Sequence, residues 1–200
     1  MHYFFFCRDN PGVGALRKQT EQAHWAFMDD YAAGFVARGP TQTDDGTAQT
    51  GSMHIVDLPD AAAVQRFAYE EPRYKAGLYN EVIIGRWRNE SGRTMWEYQT
   101  PLAAEQRFLV IAQGEPAAAD QAATLLAARR THFARHRAEP RVIVIGSLLS
   151  DDGNTWAGTV MMIQMPDRTA FDALWREDPL VKAGAYRSVE VHRWMFGGRR

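Results

Sequence analysis

Apolar positions recur along the chain with two periods, every second residue in some stretches and about every 3.6 residues in others. In the first half they predict strands over 2–7, 35–39, 51–58 and 79–87, and helices over 13–33 and from Asp60 onward. In the second half they predict strands over 107–113, 141–149, 157–165 and 186–196, and helices over 117–137 and 168–177. Both halves therefore have the element order βαββαβ.

The two halves are copies of one sequence. The segment from Gly39 to Trp87 recurs from Gly146 to Trp194 with a constant offset of 107 positions and no gap. A match of that length without an insertion indicates a tandem duplication. Matching the first helices through a shared histidine changes the offset by one position, as expected where a loop changed length. The predicted division is copy one at 1–88, a linker at 89–106 and copy two at 107–200.

The βαββαβ order is typical of the ferredoxin-like unit, an antiparallel sheet with both helices on one face. The opposite face needs a cover. In the last strand of copy two, Val189 and Val191 alternate with the larger polar Glu190 and His192, so the two faces differ. A tandem duplicate supplies a pseudo-twofold partner in the same chain. We therefore expect an α+β fold in which two ferredoxin-like units form a pseudodimeric α/β barrel.

Composition limits the partners. The chain has 200 residues, of which 46% are hydrophobic, and its net charge is −1, so there is no positive surplus to attract phosphates or anionic lipid. Neither nucleic acid nor a membrane is expected as a partner. The apolar run at the N-terminus is too short for a signal peptide, which predicts a cytoplasmic protein. We expect a monomeric pseudodimer or a weak homodimer, and we interpret the lone Cys7 as a buried, inert thiol.

Each copy combines a histidine on its first helix with an acidic residue and proline before its last strand. These combinations are His132 with Asp178, and His24 with Glu71. A carboxylate that accepts from one imidazole nitrogen raises the basicity of the other, as a general base requires. Spacing alone favours a simpler interpretation, in which the histidine is an ordinary helix residue and the acid ends a helix before proline.

The segments REDPLVKAGAYRSVEVHRW and YEEPRYKAGLYNEVIIGRW, each preceded by a histidine-bearing helix and a glycine-containing hairpin, resemble the YCII-related family. The resemblance covers both copies nearly end to end. It implies a ferredoxin-like α/β barrel and a His/Asp active site whose substrate is unknown for most members. It places the family's histidine at His132 and His24, its aspartate at Asp178 and its helix arginine at Arg129.

Copy one departs from this family pattern at two positions. It has Glu71 where the aspartate is expected, and Glu21 where copy two has Arg129. We therefore expect copy two, with His132 and Asp178, to hold the functional site. Copy one is then a degenerate structural partner or a site of altered specificity.

Several further residues are candidates for binding a substrate. They are Arg129, Thr159, Ser52, Glu190 and His192. Small hydroxyl residues at the start of the third strand let a ligand approach the backbone, although a tight strand entry explains them equally well. For Arg129 an exposed helix position is an equally good interpretation.

No metal or cofactor is expected. His132 and His136 have the spacing of a metal pair on one helix face, but copy one has Met28 at the second position and no third ligand is indicated. The segment NPGVGAL has too few glycines for a phosphate-binding loop.

Three functions remain open from the sequence. The leading hypothesis is a cofactor-independent lyase or isomerase that uses a His/Asp proton-transfer pair on a small cyclic or aromatic substrate. The alternative is a non-catalytic module that binds a small molecule or a protein, in which the His/acid pair is structural. A third hypothesis, an oxygenase, rests on analogy with monooxygenases of the same architecture.

Overall fold

A computed structural model describes residues 1–99, 105–136 and 138–198. The chain divides into two compact units, of which unit 1 comprises Met1–Trp87 with Trp194–Arg200 and unit 2 comprises Arg88–Arg193. Part of the predicted linker, residues 100–104, and the last residue of the predicted helix 117–137 lie outside the described residues. Within the described residues, no helix has the length and apolar character needed to cross a bilayer.

Unit 1 is an antiparallel sheet with helices. Its strands are β1 (His2–Asp9), β2 (Phe35–Gln42), β3 (Gln49–Asp57) and β4 (Tyr79–Asn89). Its helices are α1 (Gly14–Gln19), α2 (Glu21–Asp29), α3 (Ala61–Tyr69) and α4 (Pro72–Lys75). Strand β1 pairs with β3 and β4, and β3 pairs with β2, which gives the order β4-β1-β3-β2.

Unit 2 repeats this arrangement. Its strands are β5 (Gln106–Gly114), β6 (Val142–Leu149), β7 (Trp156–Met165) and β8 (Tyr186–Trp194). Its helices are α5 (Ala122–Arg135), α6 (Arg168–Arg176) and α7 (Pro179–Lys182). The strand order β8-β5-β7-β6 is again antiparallel. The predicted α+β class and the βαββαβ order are confirmed in both units.

The first helix differs between the units. The sequence predicts one helix over 13–33, whereas the structure divides it into α1 and α2 at Thr20. The Thr20 hydroxyl donates to the carbonyl of Leu16 at 2.8 Å, and such side-chain bonds to the backbone bend or interrupt helices. In unit 2 the helix α5 is continuous over fourteen residues.

The core of unit 2 lies between the sheet and the helices. Phe108 of β5 packs with Phe133 of α5 and Phe171 of α6, and the rings of Phe108 and Phe171 lie 5.4 Å apart. Neighbouring residues of a strand point to opposite faces of its sheet. Leu109 and Ile111 therefore point away from the helices, and they are buried as well, with exposed fractions of 0% and 1%.

The end of the chain belongs to unit 1. The backbone N–H of Met195 donates to the carbonyl of Pro40 at 3.1 Å, and the N–H of Gly197 donates to the carbonyl of Arg38 at 3.0 Å. A side chain at Gly39 would collide with the carbonyl oxygen of Met195, so glycine is required where the tail crosses β2.

Strand pairing gives the correspondence between the units. Cys7 of β1 pairs with Ser52 of β3, and Ala112 of β5 pairs with Thr159 of β7. Since Ser52 and Thr159 are 107 positions apart, the first strands of the two units are offset by 105 positions. The first helix follows the first strand, so this offset decides which helix residues correspond.

Candidate functional site

A carboxylate at the start of α4 connects two elements of unit 1. Proline suits the first position of a helix because it has no N–H to leave unpaired, and Pro72 follows Glu71 in this way. Glu71 Oε2 accepts the backbone N–H of Tyr74 at 3.0 Å, while Oε1 lies 2.7 Å from Nδ1 of His24 on α2. The carboxylate is thus fixed from two sides, and it fixes the imidazole in turn.

This contact defines the tautomer of His24. An ionised carboxylate only accepts hydrogen bonds, so Nδ1 carries the proton and Nε2 of the neutral ring has a free lone pair. Nε2 has no hydrogen-bond partner among the described residues. It is also absent from the group of fully enclosed side-chain atoms that lack a partner. His24 is only 6% exposed, and Nε2 is its ring nitrogen without a partner among the described residues.

The surroundings keep His24 neutral. Burial lowers its pKa below the usual value, and the hydrogen bond to Glu71 offsets part of this effect. The positive charges of Arg73 and Arg17 lower the pKa further. At neutral pH the ring is therefore a base ready to accept a proton.

A second histidine lies beside the first. The ring of His54 on β3 is 6.1 Å from that of His24, centroid to centroid, and its Nδ1 has no hydrogen-bond partner in the described part of the chain. Burial holds the pKa of His54 well below its usual value, and the nearby His24, Arg38 and Arg73 act in the same direction. His54 is therefore neutral in the folded protein.

A second network of hydrogen bonds in unit 1 is formed by Arg17. Arg17 of α1 donates from Nε and Nη2 to the Asp9 carboxylate at 2.5 and 2.9 Å. It also donates to Gln49 Oε1 and to the Ser52 hydroxyl, both at 2.9 Å. Asp9 neutralises this buried guanidinium, and the Ser52 hydroxyl accepts one of its N–H groups.

Two more polar groups of unit 1 are buried without hydrogen bonds. Arg73 is 7% exposed and Tyr79 is 9% exposed. The Nε of Arg73 and the hydroxyl of Tyr79 have no hydrogen-bond partner among the described residues. They lie close enough to interact electrostatically with each other and with Glu71, and burial raises the pKa of Tyr79 well above its usual value.

Unit 2 has an arginine where unit 1 has His24. Asp178 precedes Pro179 and α7, and its Oδ1 accepts the N–H of Leu180 at 2.8 Å. Its Oδ2 accepts from Nε of Arg129 on α5 at 2.6 Å. Arg129 and His24 are 105 positions apart, the offset of the first strands, and each contacts the carboxylate before its proline. They are structural counterparts.

Each of the three guanidinium nitrogens of Arg129 donates a hydrogen bond. It donates from Nη1 to the Thr159 hydroxyl at 3.1 Å and from Nη2 to the hydroxyl of Tyr186. Its guanidinium carbon lies 5.6 Å from the ring centre of Trp175. Arg129 is 2% exposed and Asp178 is fully buried, so this is a satisfied internal ion pair.

The expected contact between His132 and Asp178 is absent from the hydrogen bonds of the described residues. His132 Nε2 lies 3.2 Å from the carbonyl of Leu174 instead. The physical reason is position on the helix, because His132 lies three residues beyond Arg129, about 4.5 Å further along the axis. The match of His132 with His24 by sequence is therefore corrected to Arg129 with His24.

The other predicted residues lie in different places. Thr159 belongs to the Arg129 group and Ser52 to the Arg17 network. His192 Nε2 lies 3.0 Å from Glu190 Oε2 on β8, and no hydrogen bond of the described residues joins either of them to Arg129 or Asp178.

Sequence reasoning missed four residues of this site. They are Arg17, His54, Arg73 and Tyr79. The available signal was a difference in sequence between the copies. At the constant offset of 107 positions, His54 aligns with Met161 and Arg73 aligns with Leu180.

Comparison with known proteins agrees with the duplicated architecture. The model of the YCII-related domain matches residues 1–88 and again residues 89–195. This chain belongs to the YCII-related family. The two successive matches are consistent with a tandem duplication. A search of curated proteins finds no match.

Solved structures resemble this YCII-related chain over one or both units. The 5-chloro-2-hydroxyhydroquinone dehydrochlorinase of Burkholderia phenoliruptrix AC1100, in complex with 2,5-dihydroxybenzoquinone, is 28% identical, covering 46% of this chain and 99% of its own, with a TM-score of 0.43. A putative chlorite dismutase is 12% identical, covering 97% and 94%, with a TM-score of 0.61. A putative monooxygenase of Lactobacillus acidophilus NCFM is 9% identical, covering 97% and 92%, with a TM-score of 0.55. At 9% and 12% identity the similarity concerns the fold.

Replacing Arg129 by methionine should strongly destabilise the protein. Arg129→Met leaves the Asp178 carboxylate buried with its charge unpaired, and breaking a buried pair in this way costs about 3–5 kcal/mol. Denaturant unfolding measures the loss. The double variant Arg129→Met, Asp178→Asn should recover part of it because the uncompensated charge is gone. A loss below about 1 kcal/mol for Arg129→Met would show that the pair does not hold unit 2 together.

His54 should make stability depend on pH. Its pKa is lowered on folding, so the folded state binds fewer protons, and stability present above about pH 6.5 is lost as the pH falls below it. His54→Met, which installs the residue found in unit 2, should make that loss shallower by up to about 1.4 kcal/mol per pH unit. Urea unfolding at several pH values between 7.5 and 5 tests this. Identical pH dependence in both proteins would contradict it.

Proposed function

We propose that unit 1 is the active site of a cofactor-independent enzyme, a lyase or isomerase, in which His24 moves a proton on a small cyclic or aromatic substrate. The observation that carries this proposal is the 2.7 Å contact between His24 Nδ1 and Glu71, while Nε2 has no hydrogen bond to a described residue. A base positioned in this way contributes about 10²- to 10⁴-fold to a rate.

The reaction needs only the groups that surround His24. Nε2 takes a proton from a carbon or hydroxyl of the substrate, and the resulting imidazolium is stabilised by the Glu71 carboxylate at Nδ1. The same Nε2 proton then returns to another atom of the substrate, which completes an isomerisation, or to a departing group, which completes an elimination. No electron acceptor is consumed in either case.

The comparison with unit 2 supports the choice of unit 1. A guanidinium stays protonated at any physiological pH, so Arg129 cannot serve as a base where His24 can. The geometry therefore favours copy one, although the sequence comparison pointed to His132 and Asp178 in copy two. In this proposal the Arg129 and Asp178 pair of unit 2 stabilises the fold.

A non-catalytic binding module is the second candidate. It is favoured by the burial of the pair, since His24 and Glu71 are only 6% and 3% exposed, which is also typical of a structural hydrogen bond. The two candidates differ in whether chemistry depends on Nε2.

We also infer that the helix-free face of each sheet is covered in the folded protein. This inference is supported by burial on those faces, where Leu109 and Ile111 in unit 2 and Phe4 and Phe6 in unit 1 are at most 1% exposed. A sheet face of this kind does not stay exposed to water.

Replacing His24 should abolish proton transfer. We would follow deuterium incorporation from D₂O into cyclohexanone and 3-oxocyclohexane-1-carboxylate by proton NMR. His24→Gln should lower the catalysed exchange rate by about 10²-fold or more, because glutamine has no basic nitrogen. Glu71→Gln should lower it less, since an acceptor for Nδ1–H remains.

His132→Gln is the matched control, with the same substitution on the first helix of unit 2. It should leave the exchange rate unchanged. Equal loss in the His24 and His132 variants would contradict the assignment to unit 1. Absence of catalysed exchange in the wild-type protein on both ketones would favour the binding module.

The covered sheets predict a monomer in solution. Sedimentation equilibrium at micromolar concentration should give the mass of one chain, 22.6 kDa. Because the helix-free face of each sheet is already buried in the single chain, dimerisation should be weak and depend on concentration. A stable larger assembly at all concentrations would show that the faces are covered by other chains.

A further inference from the structure

Arg73 is a buried cation without a carboxylate partner in the described structure. It is 7% exposed, no ion pair joins it to a described carboxylate, and its Nε makes no hydrogen bond. The buried Arg17 and Arg129 each have a carboxylate within 2.6 Å. Buried charges are normally paired because removing them from water is costly. The missing component beside Arg73 is therefore an anion.

Glu71 does not supply that anion. Its charge favours the protonated form of Arg73, but one of its oxygens is bound to His24 and the other to the N–H of Tyr74. The Arg73 guanidinium thus lies near the proposed base without being neutralised by a direct contact.

Tyr79 provides a second unused donor at the same place. Its hydroxyl is buried and makes no hydrogen bond of normal geometry with a described residue, although Ser52 and Arg73 lie beside it. In unit 2 the corresponding hydroxyl of Tyr186 accepts from Arg129 and lies 2.9 Å from the Thr159 hydroxyl. The shorter His24 sends no donor to Tyr79, and the polar groups beside this hydroxyl in the described part of unit 1 are those of Arg73 and Ser52.

The fold does not require a charge at Arg73. Leu180 takes the corresponding position in α7 and lies in an apolar cluster with Leu126 and Trp156. It is fully buried, and the same short helix forms around it. Arg73 is therefore not needed to form the short helix α4, and it has another role.

We propose that Arg73 and Tyr79 bind an anionic oxygen of the substrate, a carboxylate or phenolate on a small ring. This proposal rests on the proposed function, and it names the substrate class of the same site. The Arg73 guanidinium neutralises the anion, and the Tyr79 hydroxyl donates a hydrogen bond to it. The bound oxygen holds the ring so that a proton on it faces Nε2 of His24.

Binding of charged and neutral probes tests this assignment. We would titrate the full chain by calorimetry with benzoate, with salicylate and with 3-oxocyclohexane-1-carboxylate, and in parallel with benzamide and the methyl ester of the keto acid. Wild-type protein should bind at least one anion more tightly than its neutral analogue. Arg73→Leu should weaken that binding by about 10- to 100-fold, because a charge-assisted hydrogen bond is lost.

Three variants make the result specific. Arg66→Leu removes the same charge from an exposed position of α3 and should leave binding unchanged. Arg73→Lys keeps the charge and should retain part of the affinity, while Tyr79→Phe should weaken anion binding with little effect on the neutral probes. Circular dichroism confirms that each variant is folded.

The outcomes separate this proposal from the proposed function. Equal affinity of wild type and Arg73→Leu for the anions, or no binding of any anion, would overturn the assignment of Arg73. Anion binding that depends on Arg73, combined with deuterium exchange that does not depend on His24, would support the anion site and reject the catalytic role. If His24→Gln loses deuterium exchange but keeps the anion affinity of the wild-type protein, and Arg73→Leu loses that affinity, both the catalytic role and the anion site are supported.

Discussion

Each unit depends on one carboxylate that precedes a proline. In unit 1 it belongs to Glu71 and in unit 2 to Asp178, and in both it joins the start of a short helix to a side chain of the first helix. One carboxylate oxygen accepts a backbone N–H, so only the other oxygen can accept a hydrogen bond from a helix side chain. The residue that the first helix presents to this oxygen determines the chemistry of the unit. Histidine gives an oriented base, whereas arginine gives a closed ion pair.

The two units balance buried charge in different ways. In unit 2, Arg129 neutralises Asp178 and also satisfies two hydroxyl groups, so the interior is electrostatically complete. In unit 1, α2 contributes the neutral ring of His24, and Arg73 has no ion pair with a described carboxylate. A completed interior stabilises the fold, and an incomplete one can recognise a ligand, because a buried group without a partner gains most from a new contact. Duplication allowed one chain to have both.

Much of this arrangement could be predicted from the sequence, but only where sequence distance reports spatial distance. The βαββαβ order follows from hydrophobic periodicity, and the pairing of His24 with Glu71 follows from the family resemblance. The role of His132 could not be derived from the sequence. Aligning His132 with His24 gives one offset between the first helices, whereas strand pairing, which matches Cys7 with Ala112, gives a different one. The difference between Arg73 and Leu180 is visible in the sequence, yet its meaning depends on burial.

The position of the C-terminal tail has a consequence for how the protein is made. Unit 1 includes both the first residues of the chain and residues 195–197, which cross β2 at Gly39. The sheet of unit 1 is synthesised early, whereas the residues that cross β2 are synthesised after the strands β5 to β8. Domains generally fold in order of synthesis, from the N-terminus. In this chain the N-terminal unit gains its contacts at Arg38 and Pro40 only after the unit that follows it has been synthesised.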